Sequence, residues 1–272
     1  MDAKQLEAKA KGIRADILRM TTAANSGHPG GSLSATDVIV ALYYGGILNH
    51  DPKKPRLDER DKFVLSKGHC APALYAVLAD QGYFSKKELQ NLRKIGGMLQ
   101  GHPDRLKTPG IEATTGSLGQ GLSVAVGMAL AARMDKKQSK VYCMLGCGES
   151  QEGQVWEAAM FAGHHKLDNL IGITDYNRMQ IDGKMEEVID LEPLKDKWKA
   201  FNWNVLEIDG HNFAQIIDAL ENARQFKGKP TMIIAKTVKG KGVSFMECIV
   251  DYHGKCLSKE ELGKALNELG AE

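Results

Sequence analysis

Four short runs, VYCMLG (141–146), NLIGITD (169–175), NVLEID (204–209) and PTMIIAKT (230–237), are largely apolar and rich in β-formers. Each is flanked by a stretch with helical spacing, such as GQVWEAAMFAGHHK (153–166) or FAQIIDALENARQF (213–226). A sheet with one wet face alternates polar and apolar residues, whereas runs of this kind need cover on both faces. Strands alternating with helices therefore predict an α/β fold, a parallel sheet with helices on both faces. A fifth strand, Phe63 to Leu65, runs into a glycine turn and then the helix APALYAVLADQG (71–82). The same spacing predicts helices at 3–24 and 36–48, with Ser34 as a plausible N-cap for the second, and a closing amphipathic helix in LSKEELGKALNELGAE. At 272 residues the expectation is one layered domain over 1–272. Ligands of such sheets gather at the carboxyl ends of the strands, so their glycine-rich tails are the place to search.

Charge narrows the function. Thirty-six basic and 34 acidic residues are scattered along the chain for a net charge of +2, which leaves no basic face for nucleic acid. No apolar run approaches the ~20 residues that span a bilayer, and the charged N-terminal helix has no signal-peptide core. A cytoplasmic protein is expected. The five cysteines (Cys70, Cys143, Cys147, Cys248, Cys256) are odd in number and contain no CxxC pair, which argues for reduced thiols rather than a disulfide framework or a structural zinc site.

The strongest local signal is MLGCGESQEGQVWEA (144–158) followed by ITDYNRMQIDG (173–183). A strand delivers Gly146 and Gly148 into a turn where bare backbone can approach a phosphate, and a helix beginning near Ser150 would offer free N–H groups to the anion. About thirty residues on, a second strand ends in Asp175 and Asn177, whose amide oxygen together with the Met179 carbonyl suits a metal shell. Two unrelated β-turns would give the same local pattern. Four histidines, His28, His69, His102 and His253, each adjoin glycine in a loop, where the backbone can aim an imidazole into a cleft.

Together these segments resemble the thiamine-diphosphate fingerprint in its transketolase form, which opens with Gly-Asp-Gly and closes with Asn. SGHPGG (26–31), LSKGHCAPALYA (65–76), GHPD (101–104), TTGSLGQGLS (114–123) and KTVKGKGVSF (236–245) leading to DYHGK (251–255) agree with that family in order along the chain. The resemblance implies a thiamine-diphosphate-binding fold and a two-carbon ketol transfer between ketose and aldose phosphates. By the same resemblance, His28 and His102 lie near the reactive ring, and His69 and His253 contact the diphosphate or the donor sugar. Gly116, Ser117 and Leu118 border the cofactor's rings, Gly148 and Glu149 give backbone N–H groups to phosphate, and Lys239 offsets diphosphate charge. Glu152 and Glu157 match glutamates that link paired active sites, and a solvated helix face is their alternative. His50, His164 and His165 are assigned no role.

Two features depart from the full family pattern. The glutamate that activates the aminopyrimidine belongs to a pyrimidine-binding domain, so the resemblance implies the N-terminal subunit of a split transketolase. That subunit needs a C-terminal partner carrying the pyrimidine domain, and the pair is expected as a dimer of heterodimers. Cys147 stands where the family holds its metal with aspartate, beside Asn177 and Met179. Mg²⁺, Mn²⁺ or Ca²⁺ binding is expected to be weakened or altered, since hard ions favour oxygen donors. Three outcomes compete: the metal persists on the remaining ligands, a thiolate selects a softer ion, or the chain is a catalytically impaired regulatory or scaffold subunit. Deoxyxylulose-phosphate synthase and the E1 component of α-keto-acid dehydrogenases are the neighbouring enzyme readings.

Overall fold

The structure, a computed structural model, describes residues 1–271. Five strands, β1 (Lys62–Leu65), β2 (Val141–Gly146), β3 (Leu170–Tyr176), β4 (Asn204–Asp209) and β5 (Thr231–Lys236), form one sheet in the order β1-β2-β3-β5-β4. Every pairing is parallel, with Gly146 opposite Asp175 and Tyr176 opposite Lys236. The carboxyl ends of β1, β2, β3 and β5 therefore open on the same edge.

Alternate side chains of each strand feed two separate cores. Phe63, Leu65, Tyr142, Met144, Ile171, Ile173 and Ile233 pack against α1 (Ala3–Ala24), α2 (Pro29–Tyr44), α3 (Ala71–Asp80), α8 (Phe213–Gln225) and α9 (Lys259–Leu269). Val64, Cys143, Leu145, Met232 and Ile234 face α4 (Gln120–Met134), α5 (Gly153–His164) and α7 (Leu194–Ala200). One further turn of helix, α6 (Met185–Val188), follows β3. The expected α/β architecture with helices on both faces is the one observed.

Three local expectations are corrected. The second helix spans Pro29–Tyr44 rather than 36–48, because Pro29 sits in its first turn and the two glycines after it are held by close packing. A Cβ on Gly30 would stand 2.6 Å from the Tyr252 carbonyl oxygen, and one on Gly31 2.8 Å from the Cys70 sulfur. Ser34 is thus inside the helix, not at its cap. The residues after β2 form a tight 3-10 turn (Gly148–Gln151) before α5 opens at Gly153, so the helix starts later than Ser150. Finally, α4 occupies a stretch for which no helix was expected.

Candidate functional site

Four strand ends and the start of α2 converge on a cleft of ≈ 450 Å³ lined by His28, Lys67, His69, His102, Gly116, Leu118, Cys147, Gly148, Glu149, Glu152, Asn177, Met179, Lys239 and His253. Nearly all the candidate residues meet here. Ser117 and Glu157 are the exceptions, since both lie outside the lining. Glu152 reaches only the rim, at the residue before α5 and against Gly119, and Glu157 is exposed on α5.

The imidazoles form a cluster. His28 lies 5.3 Å from His69, 5.4 Å from His253 and 6.4 Å from His102 between ring centroids, and His69 stacks on His253 at 5.3 Å. Burial, with help from neighbouring rings and cations, lowers His28 and His69 to about 4 and His253 to about 3, and lowers His102 in the same direction. At neutral pH the cluster is uncharged, so each ring can both donate and accept a hydrogen bond. Gly116, at φ +154°, lies flat beneath His102, whose ring carbon would be 3.1 Å from an added Cβ.

Lys239 is the most informative single residue. It is 2% exposed, its amine contacts His253 Nδ1 at 2.8 Å, and it makes no ion pair among the described residues. Burial lowers it to about 8. A buried ammonium with an imidazole as its polar partner is matched by an anionic ligand in the cleft. Gly146 and Gly148 line the same cleft.

At the cleft floor lies an ion pair that sequence reasoning missed. Lys67 Nζ is 2.5 Å from Asp175 Oδ2 and donates to the Gly31 carbonyl at 3.1 Å. Ser34 Oγ (2.7 Å) and Asn177 Nδ2 (3.0 Å) donate to the same carboxylate oxygen, and the Thr237 hydroxyl donates to the other. Burial opposes both charges, yet each holds the other ionised: Asp175 stays below the usual carboxylate range and Lys67 well above the usual amine range. Lys67 sits two residues from His69 in LSKGHC, which was the available signal.

Glu149 is buried and its carboxylate accepts from Ser66 Oγ (2.5 Å), Gly119 N (2.9 Å) and Gly146 N (3.0 Å). Its side chain pins three loops together. Cys147, 1% exposed, donates its S–H to Asn177 Oδ1 across 3.7 Å, and Met179 N donates to the same oxygen at 3.1 Å. Burial, then Asp175, pushes the thiol up. Outside the cleft, His211 bridges Asp37 (2.6 Å) and the Val238 amide (2.8 Å), and His50 lies between the Tyr83 hydroxyl and the Tyr43 carbonyl.

A parallel α/β domain whose carboxyl edge presents neutral imidazoles, glycine backbone and a buried lysine without an ion pair among the described residues is a binder of a phosphorylated cofactor. Residues 6–272 match the family model described as transketolase, thiamine diphosphate binding domain. The chain belongs to that family. It is 51% identical over 267 residues to the 6-deoxy-6-sulfo-D-fructose transketolase subunit SqwG of Clostridium sp. (strain MSTE9), covering 98% of this chain and 97% of that one. It is 44% identical over 269 residues to an apulose-4-phosphate transketolase subunit of Phocaeicola vulgatus, covering 99% and 95%. Among solved structures, transketolase from Campylobacter jejuni superposes with a TM-score of 0.94 at 38% identity. That superposition covers 99% of this chain but 43% of the other.

Proposed function

We propose that the chain is the diphosphate-binding subunit of a split transketolase, transferring two-carbon ketol units between ketose and aldose phosphates. The observation that carries the reading is Lys239, buried beside His253 with no carboxylate paired to it among the described residues, in a cleft that already gathers His28, His69 and His102. Thiamine diphosphate, when bound, supplies a carbon nucleophile that accepts the two-carbon unit. Lys239 and the backbone N–H groups of Gly148 and Glu149 would hold its diphosphate, and Gly116 and Leu118 would border its rings. His28, His102 and His253, uncharged at neutral pH, would donate to and accept from substrate hydroxyls. His28 would present its Nε2–H to the cleft, because the Arg93 guanidinium lies 3.3 Å from its Nδ1.

The relatives that match over nearly their whole length are named as subunits, which supports dependence on a partner carrying the pyrimidine domain and a dimer of heterodimers. Five free cysteines, three of them buried, support a reducing, cytoplasmic setting. No helix among the described residues is long and apolar enough to cross a membrane.

The cation position would use Asn177, the Met179 carbonyl and Cys147. A neutral thiol removes a charge and an oxygen donor that Mg²⁺ favours, so magnesium binding should be weakened. Cys147 also supports a second reading, a subunit that binds partners without turnover. Calorimetric titration of thiamine diphosphate against wild type and Lys239→Ala tests the main reading. Loss of at least ~10-fold in affinity, the equivalent of about 1.4 kcal/mol, is expected. Equal binding by both proteins would remove the residue on which the assignment stands.

A further inference from the structure

The cation position does not fit a hard ion. The nearest carboxylate, Asp175, cannot replace the missing one, because both its oxygens are engaged by Lys67, Ser34, Asn177 and Thr237. Among the described residues no group of three histidine, cysteine or acidic side chains stands together to hold any metal, so an ion here would need further ligands from the cofactor. What the protein does offer is one sulfur and one amide oxygen held 3.7 Å apart at the cleft wall by a hydrogen bond from the Cys147 thiol.

That separation is informative. With metal–sulfur and metal–oxygen bonds of about 2.3 and 2.1 Å, two ligands of a tetrahedral ion stand about 3.6 Å apart. The right angle of an octahedral ion would bring them to about 3.1 Å with the same bonds. The observed pair matches the tetrahedral case with no movement of Cys147, whose backbone is unstrained at φ −62° and ψ −46°.

We propose that Cys147 and Asn177 make the cation position of this cleft thiophilic, so that it takes Zn²⁺ or Co²⁺ in four-coordination in preference to Mg²⁺. The inference rests on the cofactor reading above, since the remaining ligands come from the diphosphate, with the Met179 carbonyl as the other candidate donor. On binding, the S–H bond breaks, the sulfur's electron pair forms the metal bond and the proton passes to solvent.

The test uses the full chain stripped of metal and titrated with Co²⁺ in the presence of thiamine diphosphate, followed by ultraviolet and visible absorption. Wild type should show sulfur-to-cobalt charge transfer and the intense visible bands of a four-coordinate ion. Zn²⁺ should abolish both, and a large excess of Mg²⁺ should not. Cys147→Ser should lose the charge-transfer band and more than the ~10-fold in Co²⁺ affinity that loss of an outer-shell partner costs. It also separates this site from the accessible thiols Cys248 and Cys256. Cys147→Asp should reverse the preference and retain thiamine diphosphate best with Mg²⁺. If wild type shows no charge-transfer band yet retains the cofactor with Mg²⁺ as tightly as Cys147→Asp, the inference fails and the cofactor reading stands. If neither protein retains thiamine diphosphate with any of these ions, both fail.

Discussion

Replacing Lys67 by methionine would strand the Asp175 carboxylate, 1% exposed, with hydroxyl and amide donors but no cation. Breaking a buried pair from one side costs about 3–5 kcal/mol. The donors from Ser34, Thr237 and Asn177 remain, so Lys67→Met should fall near the lower end, about 3 kcal/mol. Asp175→Asn leaves the Lys67 ammonium with the Gly31 carbonyl and little else, and should fall near about 5 kcal/mol. The double variant removes both charges and should recover at least about 2 kcal/mol of the summed losses, the non-additivity expected of contacting groups. Urea unfolding followed by circular dichroism reads this directly. At a slope of about 3 kcal/mol per molar, Lys67→Met should lower the midpoint by about 1 M. A loss under about 1 kcal/mol, or additivity within about 0.5 kcal/mol, would show that solvent screens the pair and that it does not organise the floor of the cleft.

Gly30→Ala places a Cβ 2.6 Å from the Tyr252 carbonyl, so the loop carrying His253 must move. Thiamine diphosphate affinity should drop, and stability should fall by about 1–3 kcal/mol in thermal unfolding. The histidine cluster predicts acid sensitivity: the folded chain keeps His28 and His69 neutral down to about pH 4, while the unfolded chain protonates below about 6.5. This contribution is therefore complete above pH 6.5 and declines towards 4. The urea midpoint should be lower at about pH 5 than at about pH 7.5, and His69→Gln should flatten the difference. Trp198, fully buried in the core shared by α5 and α7, should cost about 3–5 kcal/mol as alanine. Trp198→Phe should cost far less, because the indole N–H has no hydrogen-bond partner among the described residues to lose.

The strands were legible because a parallel sheet buried on both faces writes itself as short apolar runs; β2 and β4 fall on the residues read from the sequence. The start of α2 was not, because Gly30, Gly31 and Ser32 are poor helix formers and only contact with Tyr252 and Cys70 makes glycine the right residue there. Helix α4 was hidden for a related reason: its glycine-rich first turn and alanine-rich body carry no narrow apolar stripe. The histidines were legible as loop residues beside glycine, and the structure brings the four into one cluster. The Lys67 and Asp175 pair was not, since its members lie 108 residues apart and neither shows its partner locally. Glu149 was read for its backbone, but its side chain ties the β1, β2 and α4 loops.

The central claim is that this chain supplies a cofactor cleft that works only when a pyrimidine-binding partner completes it. Two-carbon transfer from a ketose phosphate should be measured with thiamine diphosphate for the chain alone, for the partner alone and for the two mixed, with Zn²⁺, Co²⁺ and Mg²⁺ in separate arms. Activity in the mixture and in neither chain alone is the predicted result. Transfer by the purified single chain at the rate of the mixture would contradict the account.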